Sequence, residues 1–375
     1  MHAQKENLKV LYICQRDEAK EGGAVRVAIG YLKKLSEFDV DAHCLFLYGS
    51  SGYFGATLGA RAHYLNIASS RDIFKLWQLP KFINKFRPDI VHHHDGLFWP
   101  QLLSFFHRNY KKIVHSHIWP DKKDLTIELR ILNKLIRYSV DMIICTSEEA
   151  KKYYHFKIGV PLSRLKTIYY GIDSSNYKQA TKCLKNEARK KLNISQGMPV
   201  VGFVGRLHDR MKGVSDFLRV VAQLPEQFMG IIAGDGPDLK YLKEYSKELK
   251  IDNRVKFLGF LHDPKNAFYA MDVFCFTSHK EPFGLTVLEA MLCNVPVVGF
   301  YCEGGVHEIL DNEVGVLIYN RDILAFANAA EEACGSGLKW DKKIQIANKR
   351  IHEKFNIEKS TMELHKVYKA MTANI

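Results

Sequence analysis

No two of the eight cysteines form a C-x-x-C pair, so the chain carries neither a zinc ribbon nor a dithiol redox centre. Cys14, Cys44, Cys145, Cys183, Cys275, Cys293, Cys302 and Cys334 sit mostly in apolar runs, as in Phe274-Cys275-Phe276. That pattern reads as reduced, buried thiols in a cytosolic protein, not as a disulfide frame. The opening residues, MHAQKENLKV, lack the apolar centre of a signal peptide. No run approaches the ~18 apolar residues of a membrane span, so any membrane contact is expected to be peripheral. Low-complexity segments and short internal repeats are also missing.

What is present is ordinary globular composition. The 375 residues are 47% apolar and 25% charged, which excludes disordered and fibrous classes and suggests two domains. The net charge of +13 is unevenly spread. Residues 1–190 hold 31 basic and 18 acidic side chains, and residues 191–375 hold 23 of each. Most of the excess lies in 101–190, including Lys111, Lys112, Lys122, Lys123, Lys151 and Lys152. Such asymmetry points to an anionic partner for the first half: a phosphate-bearing lipid, a membrane surface or nucleic acid.

Short β-rich apolar runs alternate with helical periods. Strands are expected at 9–14, 41–48, 89–94, 112–117 and 141–146, with helices at 23–35, 72–86 (interrupted by Pro80), around 97–108, 124–138 and 147–155. After a loop-rich stretch at 169–183 the cycle restarts, with strands at 199–205, 228–234, 254–259, 272–277, 295–300 and 314–318. The alternation implies βαβ units and parallel sheets. We therefore expect an α/β protein of two doubly wound, Rossmann-like domains joined near 172–195, with a last helix at 357–371. Open α/β sheets bind ligands at the carboxyl ends of their strands, so the chemistry is expected in strand-to-helix loops on both sides of a cleft.

The most specific segment is SHKEPFGLTVLEAMLCNVPVV, residues 278–298. Pro282 suits a helix start. Gly284 lets a backbone approach a ligand, and the free N–H groups of the first turn suit a phosphate. Glu281 and Glu289 are eight residues apart, about 80° from alignment on a helix, so both carboxylates fit one site. Gly205-Arg206 ends an apolar strand and Lys212-Gly213 opens the next helix, which places two cations where a diphosphate would lie. Gly234-Asp235-Gly236 reads mainly as a tight turn with Asp238 capping a helix. Gly304-Gly305 offers a further nest of N–H donors.

In this order the motifs resemble the retaining GT-B glycosyltransferases of family 4. The series runs Gly205-Arg206…Lys212-Gly213, A-G-D-G-P, Glu281-x-Phe283-Gly284…Glu289, P-V-V, and Gly304-Gly305…Glu308. Gly22-Gly23, PDIVHHH, VHSH, DMIICTSEEAKKYY and YYGIDSSNY extend the similarity over nearly the whole chain. The resemblance implies a GT-B fold with an acceptor-binding domain at 1–180, a nucleotide-sugar domain at 181–355, and a helix at 356–375 packed back on the first domain. It implies that Arg206 and Lys212 contact a donor diphosphate, with Gly284 and Leu285 adding backbone N–H groups. Glu281 would touch the transferred sugar, Glu289 the ribose hydroxyls, His117 the sugar as a catalytic residue, and Gly23 the diphosphate or acceptor. Three departures stand out: Thr277-Ser278 replaces the usual Pro-Ser, Pro282 follows Glu281 where the family commonly has Gly, and the loop after Glu308 is short and lacks the family's usual glycine-bearing motif.

His92, His93, His94, His115 and His117 end two adjacent candidate strands. Alternation sets His92 with His94, and His115 with His117. The spacing alone permits a metal site, with Asp95 as the one nearby carboxylate, but satisfied or substrate-facing histidines are the expectation and no metal is assigned. The family resemblance likewise implies no metal at the diphosphate, and no D-x-D pair stands at a strand's carboxyl end.

The expected activity is transfer of a hexose from a nucleoside-diphosphate sugar, UDP-linked by preference, to a hydroxyl of a glycan or lipid-linked acceptor. Bacterial surface polysaccharide, such as lipopolysaccharide, is the leading acceptor class. The expected setting is cytoplasmic, with peripheral contact at an anionic inner membrane face and no cofactor. Two alternatives stay open: a GT-B sugar-nucleotide epimerase, and a basic nucleic-acid-binding protein. The E-x7-E pair has no purpose in the latter, and nucleic acid is not an expected partner.

Overall fold

The computed structural model describes residues 7–18, 22–50, 52–68, 72, 74–94, 98–105, 109–117, 127–335 and 337–373. Contacts divide the chain into two units, Met1–Gly171 with Ile357–Ile375, and Ile172–Asn356.

The first unit is built on seven parallel strands: β1 (Leu8–Arg16), β2 (Val40–Tyr48), β3 (Ala62–Ile67), β4 (Ile90–His93), β5 (Lys111–Ser116), β6 (Met142–Cys145) and β7 (Leu165–Thr167). Their order is β3-β2-β1-β4-β5-β6-β7. Val10 to Cys14 of β1 are wholly buried, because helices cover both faces of a parallel sheet and leave no polar side. One apolar cluster joins Leu11, Ile13 and Leu45 to Leu76, Leu79 and Ile83. Another joins Val114 and Ile143 to Ile136, Ala150 and Tyr154.

The second unit has its own six-stranded parallel sheet: β8 (Val200–Val204), β9 (Met229–Ala233), β10 (Val255–Gly259), β11 (Val273–Phe276), β13 (Val297–Phe300) and β15 (Val316–Ile318). A short pair, β12 (Lys280–Glu281) and β14 (Glu303–Gly304), stands apart from it. The main order is β10-β9-β8-β11-β13-β15. In both sheets the first strand lies in the middle and the order reverses beside it, as in a Rossmann fold. In such a fold the carboxyl ends of the strands that flank the reversal are where ligands bind.

Several expectations need correction. Pro80 interrupts nothing: it lies in the first turn of the Gln78–Phe86 helix, where its missing N–H has no intrahelical role. β3 and β7 are edge strands, too short or too exposed for a buried-strand pattern. The domain boundary is at Gly171/Ile172 and not at 180/181. Residues 172–180 are tied into the second unit, by Ile172 N–H to the Phe355 carbonyl, Lys178 N–H to the Tyr269 hydroxyl, and Ala180 N–H to the Cys293 carbonyl. The Ile357–Thr372 helix clusters with the first unit. There Tyr368 bonds Tyr12 at 2.9 Å and His92 at 2.6 Å, and Lys34 faces Glu358 at 3.1 Å.

By unit, the charge asymmetry persists: 29 basic against 18 acidic residues in the first, 25 against 23 in the second. The lysines expected to carry it do less than their sequence suggests. Lys112 is buried, Lys151 and Lys152 face Glu148 and Glu149, and Lys122 and Lys123 lie outside the described residues. No helix among the described residues is long and apolar enough to cross a membrane.

Asp17, one residue past β1, fixes the connection from β2 to β3. It is 3% exposed. Its carboxylate accepts from the N–H groups of Gly52, Phe54 and Gly55 and from the Tyr64 hydroxyl. Asp17→Ala leaves these donors without their acceptor. The expected cost is about 2–4 kcal/mol, read as a lower thermal midpoint of the first unit. An unchanged melting curve would show that water replaces the carboxylate at no cost.

Candidate functional site

In the second unit the reversal between β8 and β11 gathers three loops. The first follows β8. Gly205 N–H bonds the Ala233 carbonyl and Leu207 N–H bonds the Asp235 carbonyl, which seats this loop against the Gly234-Asp235-Gly236 turn. The turn is structural, as expected. Asp238 does not cap its own helix. Its φ of −95° and ψ of 7° depart from the extended geometry of a capping residue. Its carboxylate instead accepts from Asp209 N–H at 2.7 Å, the first residue of the Asp209–Lys212 helix.

That short helix is laced to the loop after β11. The Thr277 hydroxyl donates to the Lys212 carbonyl at 3.2 Å, and His279 N–H donates to the Met211 carbonyl at 2.8 Å. Gly213 follows at φ +59°, where a Cβ would come within 2.2 Å of the Thr277 carbonyl oxygen. Only glycine lets the two loops approach so closely. Arg321 locks the arrangement, donating to the Thr277 and Ser278 carbonyls and pairing with the buried Asp216.

The lacing brings Lys212 to Glu281. Lys212 Nζ lies 2.5 Å from Glu281 Oε2, and the Ser278 hydroxyl is 3.5 Å from the same oxygen. Both charged side chains are mostly covered, at 24% and 13% exposed, so their attraction is less screened than that of a surface pair. Glu281 is held by the β12–β14 pair, in register with Gly304. A Cβ on Gly304, at φ +117°, would sit 1.9 Å from the Glu281 carbonyl oxygen. Gly304-Gly305 thus serves close backbone approach: Gly305 N–H donates to the Pro282 carbonyl at 3.2 Å.

Gly284, at φ +110°, begins the Leu285–Leu292 helix. A Cβ there would be 3.8 Å from Glu281 Cγ, so the helix start adjoins the Lys212–Glu281 pair. The N–H groups of Leu285 and Thr286 have no intrahelical acceptor. Together with the Lys212 ammonium and the positive end of the helix, they form a place for an anion. Arg206, at the end of β8, is exposed and has no side-chain partner among the described residues. Glu289 lies further along the helix, 2% exposed, and its carboxylate accepts from the Tyr177 hydroxyl at 2.9 Å. Sequence reasoning missed Tyr177, although it stands in the YYGIDSSNY motif. It also missed Arg321 and Asp216, which have no local signature and meet only through the fold.

The structure therefore brings Lys212, Glu281, Gly284 and Leu285 together, with Glu289 on the same helix. Arg206 stands at the same edge of the sheet without contacting them. Gly23 and His117 belong to the first unit. Gly23 opens the Gly23–Leu35 helix behind Gly22 at φ +90°. His117 follows β5 and has both ring nitrogens engaged. Nε2 lies 2.8 Å from His94 Nδ1, and Nδ1 bonds the Tyr170 hydroxyl. Burial lowers its pKa to about 3, so the ring is neutral at pH 7, and in this arrangement it offers no open nitrogen to a substrate.

Alternation along β4 and β5 holds: His92, His94, His115 and His117 share one face and stack on one another. Of the two expectations, satisfied or substrate-facing, the first does not hold for three of them. His92 Nε2, His94 Nε2 and both nitrogens of His115 are buried with no partner among the described residues. Among the described residues, hydrogen bonds from these rings reach Tyr368, Tyr170 and one neighbouring histidine.

Comparison with known proteins bears on both units. A family model described as "Glycosyltransferase Family 4" matches residues 21–176, and one described as "Glycosyl transferases group 1" matches residues 185–350. The uncharacterized glycosyltransferase MJ1607 of Methanocaldococcus jannaschii is 27% identical over 248 residues, 64% of this chain and 63% of that protein. The O-antigen biosynthesis glycosyltransferase WclY of Escherichia coli is 32% identical over 158 residues, 42% of each chain. The matched stretches thus span less than two thirds of these relatives. Among solved structures, Anabaena HepE in complex with UDP and glucose superposes with a TM-score of 0.83 at 24% identity, covering 96% of this chain and 99% of that one. That likeness is one of fold, the GT-B pairing of two Rossmann-like domains.

Proposed function

The chain belongs to the family 4 GT-B glycosyltransferases, and on that basis we propose that it moves a hexose from a UDP-linked sugar to a hydroxyl of a glycan or lipid-linked acceptor, with retention at the anomeric carbon. The observation that carries this reading is the Lys212–Glu281 pair beside the helix start at Gly284, with Glu289 buried on the same helix. It sets positive potential for a diphosphate next to two carboxylates that accept hydrogen bonds from hydroxyls. HepE's complex with UDP supports the choice of nucleotide, and WclY's role in O-antigen biosynthesis supports a bacterial surface polysaccharide as product.

In the proposed reaction the bond from anomeric carbon to diphosphate breaks. The acceptor oxygen attacks from the same face, and the departing phosphate takes the acceptor's proton. Lys212, Arg206 and the N–H groups of Leu285 and Thr286 stabilise the charge that develops on the leaving group. The Lys212 ammonium has three N–H donors, so it can meet a donor phosphate and Glu281 together. Glu281 has further lone pairs with which to accept from the transferred sugar, and Glu289 is assigned to ribose.

Incubation with a panel of nucleotide sugars, followed for slow donor hydrolysis, tests the reading and identifies the donor. Arg206→Ala and Lys212→Ala are each expected to lower kcat/KM at least about tenfold, or about 1.4 kcal/mol. Glu281→Gln should lower kcat, whereas Glu289→Gln should mainly raise the donor KM. Identical behaviour of the two glutamate variants would remove their separate roles, and unchanged kinetics in both cation variants would remove the diphosphate site.

We further propose that no divalent cation assists the diphosphate, because Lys212, Arg206 and a helix start already supply its counter-charge. Brief treatment with excess EDTA should leave the rate unchanged. A loss restored by Mg²⁺ or Mn²⁺ would overturn this.

Peripheral membrane contact is proposed for the first unit. Phe74 and Trp77 are 89% and 61% exposed, beside the exposed Lys75, Lys81 and Lys85. Apolar side chains ringed by lysines suit an anionic leaflet. Flotation should show binding to anionic but not neutral vesicles, weakened by salt and by the double change Phe74→Ala, Trp77→Ala. Equal, negligible binding to both vesicle types would favour a soluble acceptor.

A further inference from the structure

We propose that His92, His94 and His115 form a binding site for one first-row divalent transition-metal ion, of which Zn²⁺ is the type, within the first unit. The three rings come from the ends of adjacent parallel strands. In the β4–β5 register His92 lies opposite Ile113 and His93 opposite Val114, so the next position sets His94 beside His115. All three are buried, at 0%, 3% and 2% exposed. One ring nitrogen from each lies within 4.8 Å of the others.

The hydrogen bonds around them favour ligation. His92 uses Nδ1 toward the Tyr368 hydroxyl at 2.6 Å, and His94 uses Nδ1 toward His117 Nε2 at 2.8 Å. If each Nδ1 carries the proton, each Nε2 carries a lone pair, and both Nε2 atoms are buried without a partner. This is how a ligating histidine is held: one nitrogen bonds an outer partner, which fixes tautomer and ring direction, and the other faces the metal. His115 has both nitrogens open and can present either. A divalent cation takes a lone pair from all three rings at once, whereas a single water, with two protons, serves His92 Nε2 and His94 Nε2 only when His115 turns its N–H toward the water oxygen.

The chemistry favours an ion of this class. Imidazole nitrogen suits Zn²⁺, Co²⁺, Ni²⁺ and Cu²⁺, and among the described residues no carboxylate joins the three rings to favour Mg²⁺ or Ca²⁺. Bonds of about 2.0–2.1 Å place tetrahedral ligand nitrogens about 3.4 Å apart. Ring rotation about the soft terminal torsion closes the present spread. Three neutral ligands leave a fourth position for water or hydroxide, which would also offset charge. Tyr12 stacks on His94 with centroids 4.6 Å apart, and Tyr31 lies against His115 at 6.0 Å. The two rings wall the site with aromatic surface, which slows exchange with chelators.

The test uses the full chain, purified without a histidine tag and equilibrated with Zn²⁺ or Co²⁺, then freed of loosely held metal. About one ion per chain is expected, with a tetrahedral visible spectrum for Co²⁺ and a raised melting temperature with Zn²⁺. His115→Phe keeps an aromatic ring of similar shape and should lose the ion. Tyr368→Phe removes an outer partner and should weaken binding about 10–100-fold. His352→Ala, at an exposed position, should change nothing. Should His115→Phe fail to fold, the wild-type stoichiometry and Co²⁺ spectrum still decide. Folded wild type that holds no ion and melts alike with and without Zn²⁺ would overturn the site, as would an ion lost equally in His352→Ala. Because none of these readouts is enzymatic, they stand or fall apart from the proposed transferase activity.

Discussion

Both units depend on one constraint: parallel strands require crossovers, and a sheet wound in two directions must reverse its order somewhere. At the reversal, neighbouring loops leave in opposite directions and cannot cover the strand ends. In the second unit that gap lies between β8 and β11, and the residues that give the site its character emerge there. The loop after β8 brings Arg206 and Lys212. The loop after β11 brings Thr277, Ser278 and Glu281. In the first unit β1 and β4 flank the reversal, and Asp17 and His94 directly follow these two strands.

Topology places the loops, but short-range packing sets their distance. Thr277 bonds to the Lys212 carbonyl, and Gly213 lacks the side chain that would hold Thr277 off. Arg321 ties both Thr277 and Ser278 to Asp216. Gly304 allows β14 to lie against the Glu281 backbone. These contacts make the Lys212–Glu281 pair a product of the frame around it. They also bring a cation and a carboxylate together beside the helix start at Gly284.

The two units use buried polarity differently. In the second, buried carboxylates are answered, Asp216 by Arg321 and Glu289 by Tyr177, and the part-buried Asp272 is met by Arg189 and Lys185. In the first, a row of buried imidazoles is answered only in part. Burial lowers the pKa of His92, His94 and His115, so charge repulsion within the row is avoided by neutrality. Neutral rings tolerate stacking, yet each still carries a lone pair and an N–H that an apolar core cannot satisfy.

The sequence by itself determined the two α/β units, nearly every central strand, and the residues that cluster at Lys212, Glu281 and Gly284. The reason is local: buried parallel strands are continuous apolar runs, and glycine, proline and charged residues punctuate them where loops must bind or turn. It could not determine edge strands such as β3 and β7, whose half-exposed residues carry no clear period. Asp238 serves a neighbouring helix, and residues 172–180 join the second unit, through bonds to partners 29 to 183 positions away. Tyr177 on Glu289 and Arg321 on Asp216 are likewise meetings across more than one hundred residues. Tertiary structure decided these, because a hydrogen bond depends on position in space, and separation along the chain fixes position only within one helix or strand.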